Sequence, residues 1–157
     1  MTTHEIIQID PIEAAALIRE LDGYLTSLYP PESNHLESIE DLSRKNVKMF
    51  GCKIKGNIVA MGAVKLMTVY GELKRLYVSP RYRGKGFAVE ILKRLELEIL
   101  NNCLDYARLE TGIYQKEALN VFQKNGYDKC NTFGKYIDDP LSVFMEKRLQ
   151  PMGSPSE

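Results

Sequence analysis

A chain of 157 residues, 44% hydrophobic and 27% charged, can bury one core without disulfides or metal, and no apolar run reaches the roughly 20 residues of a membrane helix. Lys+Arg 21 against Asp+Glu 21 leave no net charge, so the overall field favours neither nucleic acid nor an anionic surface. Cys52, Cys103 and Cys130 are odd in number and show no C-x-x-C spacing, which argues against a disulfide framework or a zinc site and for a reducing compartment. The N-terminus lacks the basic start and apolar stretch of a signal peptide, so a cytoplasmic location is expected.

Glu5 to Ile9 reads as a short strand, and Asp10-Pro11 supplies an N-cap and a first-turn proline for a helix over 12–28. Leu17, Ile18, Leu21, Leu25 and Leu28 recur at helical spacing and predict its buried face. Tyr29-Pro30-Pro31 ends it. A polar connector, Glu32 to His35, leads to a second helical segment over 36–45.

Strand character runs over 47–55, 57–70 and 72–78, with turns at Lys55-Gly56-Asn57 and Tyr70-Gly71. In the first turn the Gly-Asn pair is expected to take positive φ. After a glycine loop, Phe87, Ile91, Leu92, Leu95 and Ile99 predict one face of a long helix. A strand at 106–111, a helix at 115–124 ending at Asn125-Gly126, and a hairpin of 127–133 with 141–149 follow. One mixed α/β domain over 1–149 with a mobile tail at 150–157 is the expected organisation.

The most informative stretch is Val78 to Ala88. A strand ends, two glycines turn the chain, and an amphipathic helix begins, so unpaired helix-start N–H groups lie open to an anion. Val89 stands where G-x-G-x-x-G needs its third glycine, and no Gly-Lys-Ser/Thr is present, which sets aside the dinucleotide and Walker A motifs. Arg81, Gly84 and Gly86, with Arg83 and Lys85 adding charge, suit a pyrophosphate.

In this pattern the chain resembles the GNAT superfamily of acyl-CoA-dependent N-acetyltransferases, whose central motif is Gln/Arg-x-x-Gly-x-Gly/Ala after the fourth strand. The resemblance includes the strand Glu72 to Val78, the segment Glu117 to Tyr127 and the element order from residue 5 to 149. It implies an α+β fold with a mainly antiparallel mixed sheet, flanked by helices and splayed between the fourth and fifth strands. It also implies acetyl-CoA as co-substrate and no metal. The pantetheine arm would pair with backbone groups of Tyr77 and Val78. Amides of Arg83, Gly84, Lys85, Gly86, Phe87 and Ala88 would hold the pyrophosphate, and Gln115 would contact the pantetheine.

An alkyl ammonium, with a pKa near about 10.4, must lose a proton before it attacks a thioester. The resemblance places Glu72 as the base, with Glu110 on the neighbouring strand as second candidate and an ion pair of Glu72 with Lys74 or Arg75 as the alternative role. The Val78 N–H would stabilise the oxyanion. Phe122 stands where the family often has a tyrosine acid, leaving Tyr114, Tyr127 or water for that proton, although both tyrosines are expected to be packed rings. Tyr29, Glu32, Asn34, His35, Tyr136 and Asp138 are candidate walls of an acceptor pocket.

The expected activity is acetylation of a small-molecule primary amine by direct attack in a ternary complex. The alternatives are acetylation of a protein N-terminus or lysine, and a non-catalytic acyl-CoA-binding module. No nucleic-acid or membrane partner is expected, and the resemblance allows a homodimer.

Overall fold

The structure is a computed structural model and describes residues 4–150, so the tail expected at 150–157 lies, apart from Gln150, outside the described residues. Strand β1 (Glu5–Gln8) leads into a 3-10 turn, Pro11–Ala14, and then α1 (Ala15–Leu28). Proline at the first position and the Glu13 carboxylate, which accepts from Asp10 N–H at 2.9 Å, fix this start. The helix expected from residue 12 thus opens with one tighter turn. A one-turn helix, α2 (Ile39–Leu42), replaces the longer segment expected over 36–45. Ser38 caps it, and only Leu42 is buried, so nothing apolar carries it further.

Strands β2 (Val47–Ile54), β3 (Asn57–Leu66) and β4 (Gly71–Val78) form an antiparallel meander. The β2–β3 turn takes its positive φ at Lys55 and Gly56, at 51° and 82°, so Gly56 is as expected and Lys55 stands in for Asn57. Asn57 is already paired with Ile54, and two left-handed residues match the twist of a two-residue hairpin. Helix α3 (Phe87–Asn101), β5 (Tyr106–Gly112), α4 (Lys116–Lys124), β6 (Asp128–Lys129) and β7 (Ser142–Arg148) complete the chain. The strand expected over 127–133 shrinks to two residues at the sheet edge.

The sheet order is β1-β2-β3-β4-β5-β7-β6. Apolar side chains leave it on both faces. Phe50, Cys52, Leu73 and Leu109 pack with Ile91, Leu95 and Ile99 of α3 and Phe122 of α4. Met49, Met61 and Ala63 pack with Leu17, Ile18 and Leu21 of α1. All five residues predicted for the inner face of α3 are buried, at roughly 1.5–3 kcal/mol each. The helix lies close because β3 carries Gly62, where a Cβ would come within 2.6 Å of Ile91. Among the described residues no helix is long and apolar enough to cross a membrane.

Among the described residues the only parallel pair is β4 with β5, joined at Gly71↔Ala107 and Glu72↔Arg108 and nowhere beyond. From Leu73 onward the two strands diverge. A bulge explains why: Met61 pairs with Tyr77 and Ala63 with Lys74, so Arg75 and Leu76 together oppose Gly62. Arg75 sits at φ 58°, and such an extra residue bends and twists the strand that carries it. The resulting splay positions everything that follows.

Candidate active site

Gly84 and Gly86 precede α3 at φ 77° and 84°, a region that strains any side chain. A Cβ on either would meet no protein atom within 4 Å, so their outer side is open space. That space is a groove of about 620 Å³. Gly84, Gly86, Phe87 and Ala88 line one side of it, Tyr77 and Val78 another, and Gln115 and Val121 of the α4 region a third. Lys85 is the one expected cofactor-binding residue outside this lining, and it is exposed.

Arg83 is engaged with the protein itself. Its Nε donates to the Val78 carbonyl at 3.0 Å and its Nη1 pairs with exposed Glu117 at 3.1 Å. Ser79 N–H turns toward β3 and donates to Val59 at 2.8 Å, so the Val78 carbonyl lies on the opposite side, toward the splay. In a strand the N–H of a residue shares the side of its carbonyl, and the Val78 N–H therefore faces the cleft.

A second cavity, of about 90 Å³, opens between β4 and β5. Leu21, Leu76, Gln115 and Ala118 line both cavities, which therefore adjoin. Gln115 is held there because its Oε1 accepts from Gly112 N–H at 2.9 Å. Of the expected acceptor-pocket residues, Tyr29, Asn34, His35 and Tyr136 line the small cavity, whereas Glu32 and Asp138 do not.

Glu72, expected as the base, lines neither cavity and is 5% exposed. Its Oε2 accepts from Tyr136 at 2.6 Å and pairs with Lys74 at 3.0 Å. Lys74 also donates to Glu37 at 2.8 Å and to Tyr136 at 3.0 Å. Burial pulls the Lys74 ammonium down, but Glu37, Tyr136 and Glu72 together hold it above its ordinary value. The ion pair with Lys74 weighed for Glu72 is present, though buried where an exposed strand position was expected.

Glu110 is different. It lines the small cavity and accepts from Ser142 Oγ at 2.7 Å. Burial raises its carboxyl above the usual carboxylate range, opposed by that hydrogen bond. The β4 bulge brings a second set of charges: Arg75 pairs with Asp22 at 2.6 Å, and its Nη2 donates to the Glu37 carbonyl at 2.6 Å. Glu37 also accepts from Lys74 and faces Arg75 Nε at 3.3 Å, pinning the segment before α2 to β4. Periodicity gave no hint of Glu37, since its only sequence mark is the position before the Ser38 cap.

Tyr127 is a packed ring as expected, with its hydroxyl on Glu96 at 2.7 Å. Tyr114 is not: it is 49% exposed and stacks on buried Tyr29 at 5.6 Å between centroids. Phe122 is buried and packs against Tyr127 at 5.5 Å.

The family model for the acetyltransferase (GNAT) family matches residues 14–127. The chain is 39% identical over 148 residues to an IAA acetyltransferase of Azospirillum brasilense, covering 92% of this chain and 97% of that protein. A solved Klebsiella pneumoniae structure, provisionally described as an acyl-CoA N-acyltransferase, superposes at TM-score 0.79 with 33% identity, over 94% of this chain and 99% of that one. The PaiA N-acetyltransferase of Thermoplasma acidophilum, solved in complex with coenzyme A, shares the fold at TM-score 0.71 and 18% identity, over 93% and 99%. Together with the glycine loop and the splay between β4 and β5, these matches show that the chain belongs to the GNAT family and is an N-acetyltransferase.

Proposed function

We propose that this protein moves an acetyl group from acetyl-CoA to a primary amine of a small molecule, by direct attack while both substrates are bound. The observation that carries the reading is the junction of two cavities, one lined by a glycine loop at a helix start, the other small and faced by a carboxylate. The relative named IAA acetyltransferase supports a small-molecule acceptor.

Amides from Arg83 to Ala88 hold the pyrophosphate, because aligned N–H dipoles favour an anion without a side chain. The backbone of Tyr77 and Val78, with Gln115, takes the pantetheine arm, and the Val78 N–H faces the cleft to stabilise an oxyanion. Glu110 takes the proton of the acceptor ammonium. It lies on the cavity wall, whereas the Glu72 carboxylate is already held by Lys74 and Tyr136. The positive charges nearby are matched by Glu37, Glu72 and Asp22, so Glu110 is the carboxylate left to meet a cation. A cytoplasmic site of action fits the three free cysteines.

The test is release of free thiol from acetyl-CoA over a panel of small primary amines, with protein acceptors followed by intact mass. Thiol release with at least one small amine is expected. Tight acetyl-CoA binding without release by any of them would overturn the reading, and mass gain on proteins alone would replace the acceptor class.

A further inference from the structure

When a thioester is cleaved, sulfur keeps the bonding electrons, and a thiol that ionises near about 8.5 takes a proton at neutral pH. A hydroxyl in the cleft wall with an uncommitted proton would supply it. Four hydroxyl side chains line the small cavity: Tyr29, Ser33, Thr111 and Tyr136. The Tyr136 proton is given to Glu72 at 2.6 Å and the Ser33 proton to Asp139 at 2.6 Å. Thr111 is an aliphatic alcohol, a far weaker acid than a phenol.

Tyr29 stands apart. Its hydroxyl oxygen accepts from Tyr114 N–H at 3.0 Å, while among the described residues its own proton has no acceptor. The side chain is 6% exposed and follows α1 at an extended C-cap, where its N–H donates to Leu25 at 3.0 Å. Gly112 makes room for it, since a Cβ there would land on the Tyr29 hydroxyl and ring. The ring stacks on Tyr114, which lines the large groove, so the pair bridges the walls of the two cavities beside Gln115. Glycine, backbone donor and stacked ring converge on one orientation of one phenol.

We propose that Tyr29 is the proton donor to the departing thiol. The proposal rests on the acetyl-transfer reading above. The acceptor ammonium gives one proton to Glu110, and its nitrogen bonds to the acetyl carbon. The carbon–sulfur bond breaks with its electron pair on sulfur, and sulfur takes the Tyr29 proton. The nitrogen's second proton returns to the phenolate through the cavity, so the turnover releases one proton to solvent. Burial raises the phenol above its ordinary value and keeps it protonated at rest, while the backbone N–H groups of Tyr114 and Gln115 face its oxygen and ease the transient phenolate. Tyr24 of α1 and Glu110 of β5 are the ionisable groups that face it.

Tyr29→Phe removes the hydroxyl and keeps the stacked ring, and its melting curve checks folding. The first readout needs no acceptor. The thiolate absorbance of bound coenzyme A is titrated against pH, with desulfo-coenzyme A as blank, in both proteins. The bound thiol is expected to titrate about one unit higher in the variant, a tenfold change in its ionisation. The second readout uses acetyl-CoA and the fastest amine of the panel: kcat falls roughly 10²-fold and KM for acetyl-CoA stays within about twofold. A folded variant with an unchanged thiol titration and kcat within about threefold of wild type overturns Tyr29 as donor. Coenzyme A that fails to bind wild type in calorimetry overturns the acetyl-CoA reading itself, a separable result.

Discussion

The Tyr136 hydroxyl donates to the Glu72 carboxylate at 2.6 Å and fastens the loop between β6 and β7 to strand β4. The same hydroxyl accepts from Lys74 at 3.0 Å, so one side chain from the end of the chain completes a charge network begun on β4. Tyr136→Phe leaves Glu72 and Lys74 each short of a partner in a buried site, which costs about 1–3 kcal/mol. Urea unfolding of the variant should show that loss as a lower midpoint with an unchanged slope.

The division of labour between the two carboxylates separates by kinetics. Glu110→Gln should lower kcat at least about 10²-fold while acetyl-CoA binding, measured by calorimetry, is retained. Glu72→Gln keeps an acceptor for Tyr136 and should lower kcat by less than about tenfold, its main effect falling on stability. The reverse order would return Glu72 to the role of base.

Glu110 also carries a pH signature. A base must be ionised, so kcat/KM should rise through a value above the usual carboxylate range, and that limb should vanish in Glu110→Gln. The stability effect has the opposite sense. A carboxyl raised by burial favours the neutral form in the fold, so its stabilisation is complete below the unfolded value near about 4.3 and is lost as pH rises through the folded value. Glu110→Gln, neutral throughout, should therefore be no less stable than wild type at neutral pH, and should lose that advantage in acid. Unfolding midpoints across pH check this.

At Gly86 a Cβ would strain a left-handed backbone by roughly 1–2 kcal/mol and project into the groove. Gly86→Ala should weaken coenzyme A binding at least about tenfold, equal to about 1.4 kcal/mol. Calorimetry with coenzyme A reads it, and equal affinity would remove the loop from the binding site.

At Gly112 the obstacle is steric. Gly112→Ala drives a methyl into the Tyr29 ring and should destabilise the fold by about 1–3 kcal/mol. Tyr29→Ala should relieve most of that clash, so a double-mutant cycle is expected to show strong coupling between positions 29 and 112.

Much of this was legible in the residues. The inner face of α3, the caps at Asp10 and Asn125-Gly126 and the strand–glycine–helix loop are local, because period, capping and glycine conformation act over a few neighbours. The helix expected over 36–45 failed for the converse reason: only Leu42 is fully buried there, with Ile39 partly so, and tertiary burial decides length for a weakly amphipathic segment. The order in which β7 inserts between β5 and β6 is likewise invisible in the local pattern.

The sequence by itself determined the strand–glycine–helix loop and the family, since both rest on residue types at fixed short spacings. Only the tertiary structure decided which acid faces the small cavity and which of that cavity's two phenols has, among the described residues, no acceptor for its proton. Glu72 and Glu110 look alike in a strand, and Tyr29 looks like any aromatic at a helix end. Their surroundings diverge because Tyr136, Ser142 and Gly112 reach them across the fold, and hydrogen bonding and desolvation act through space.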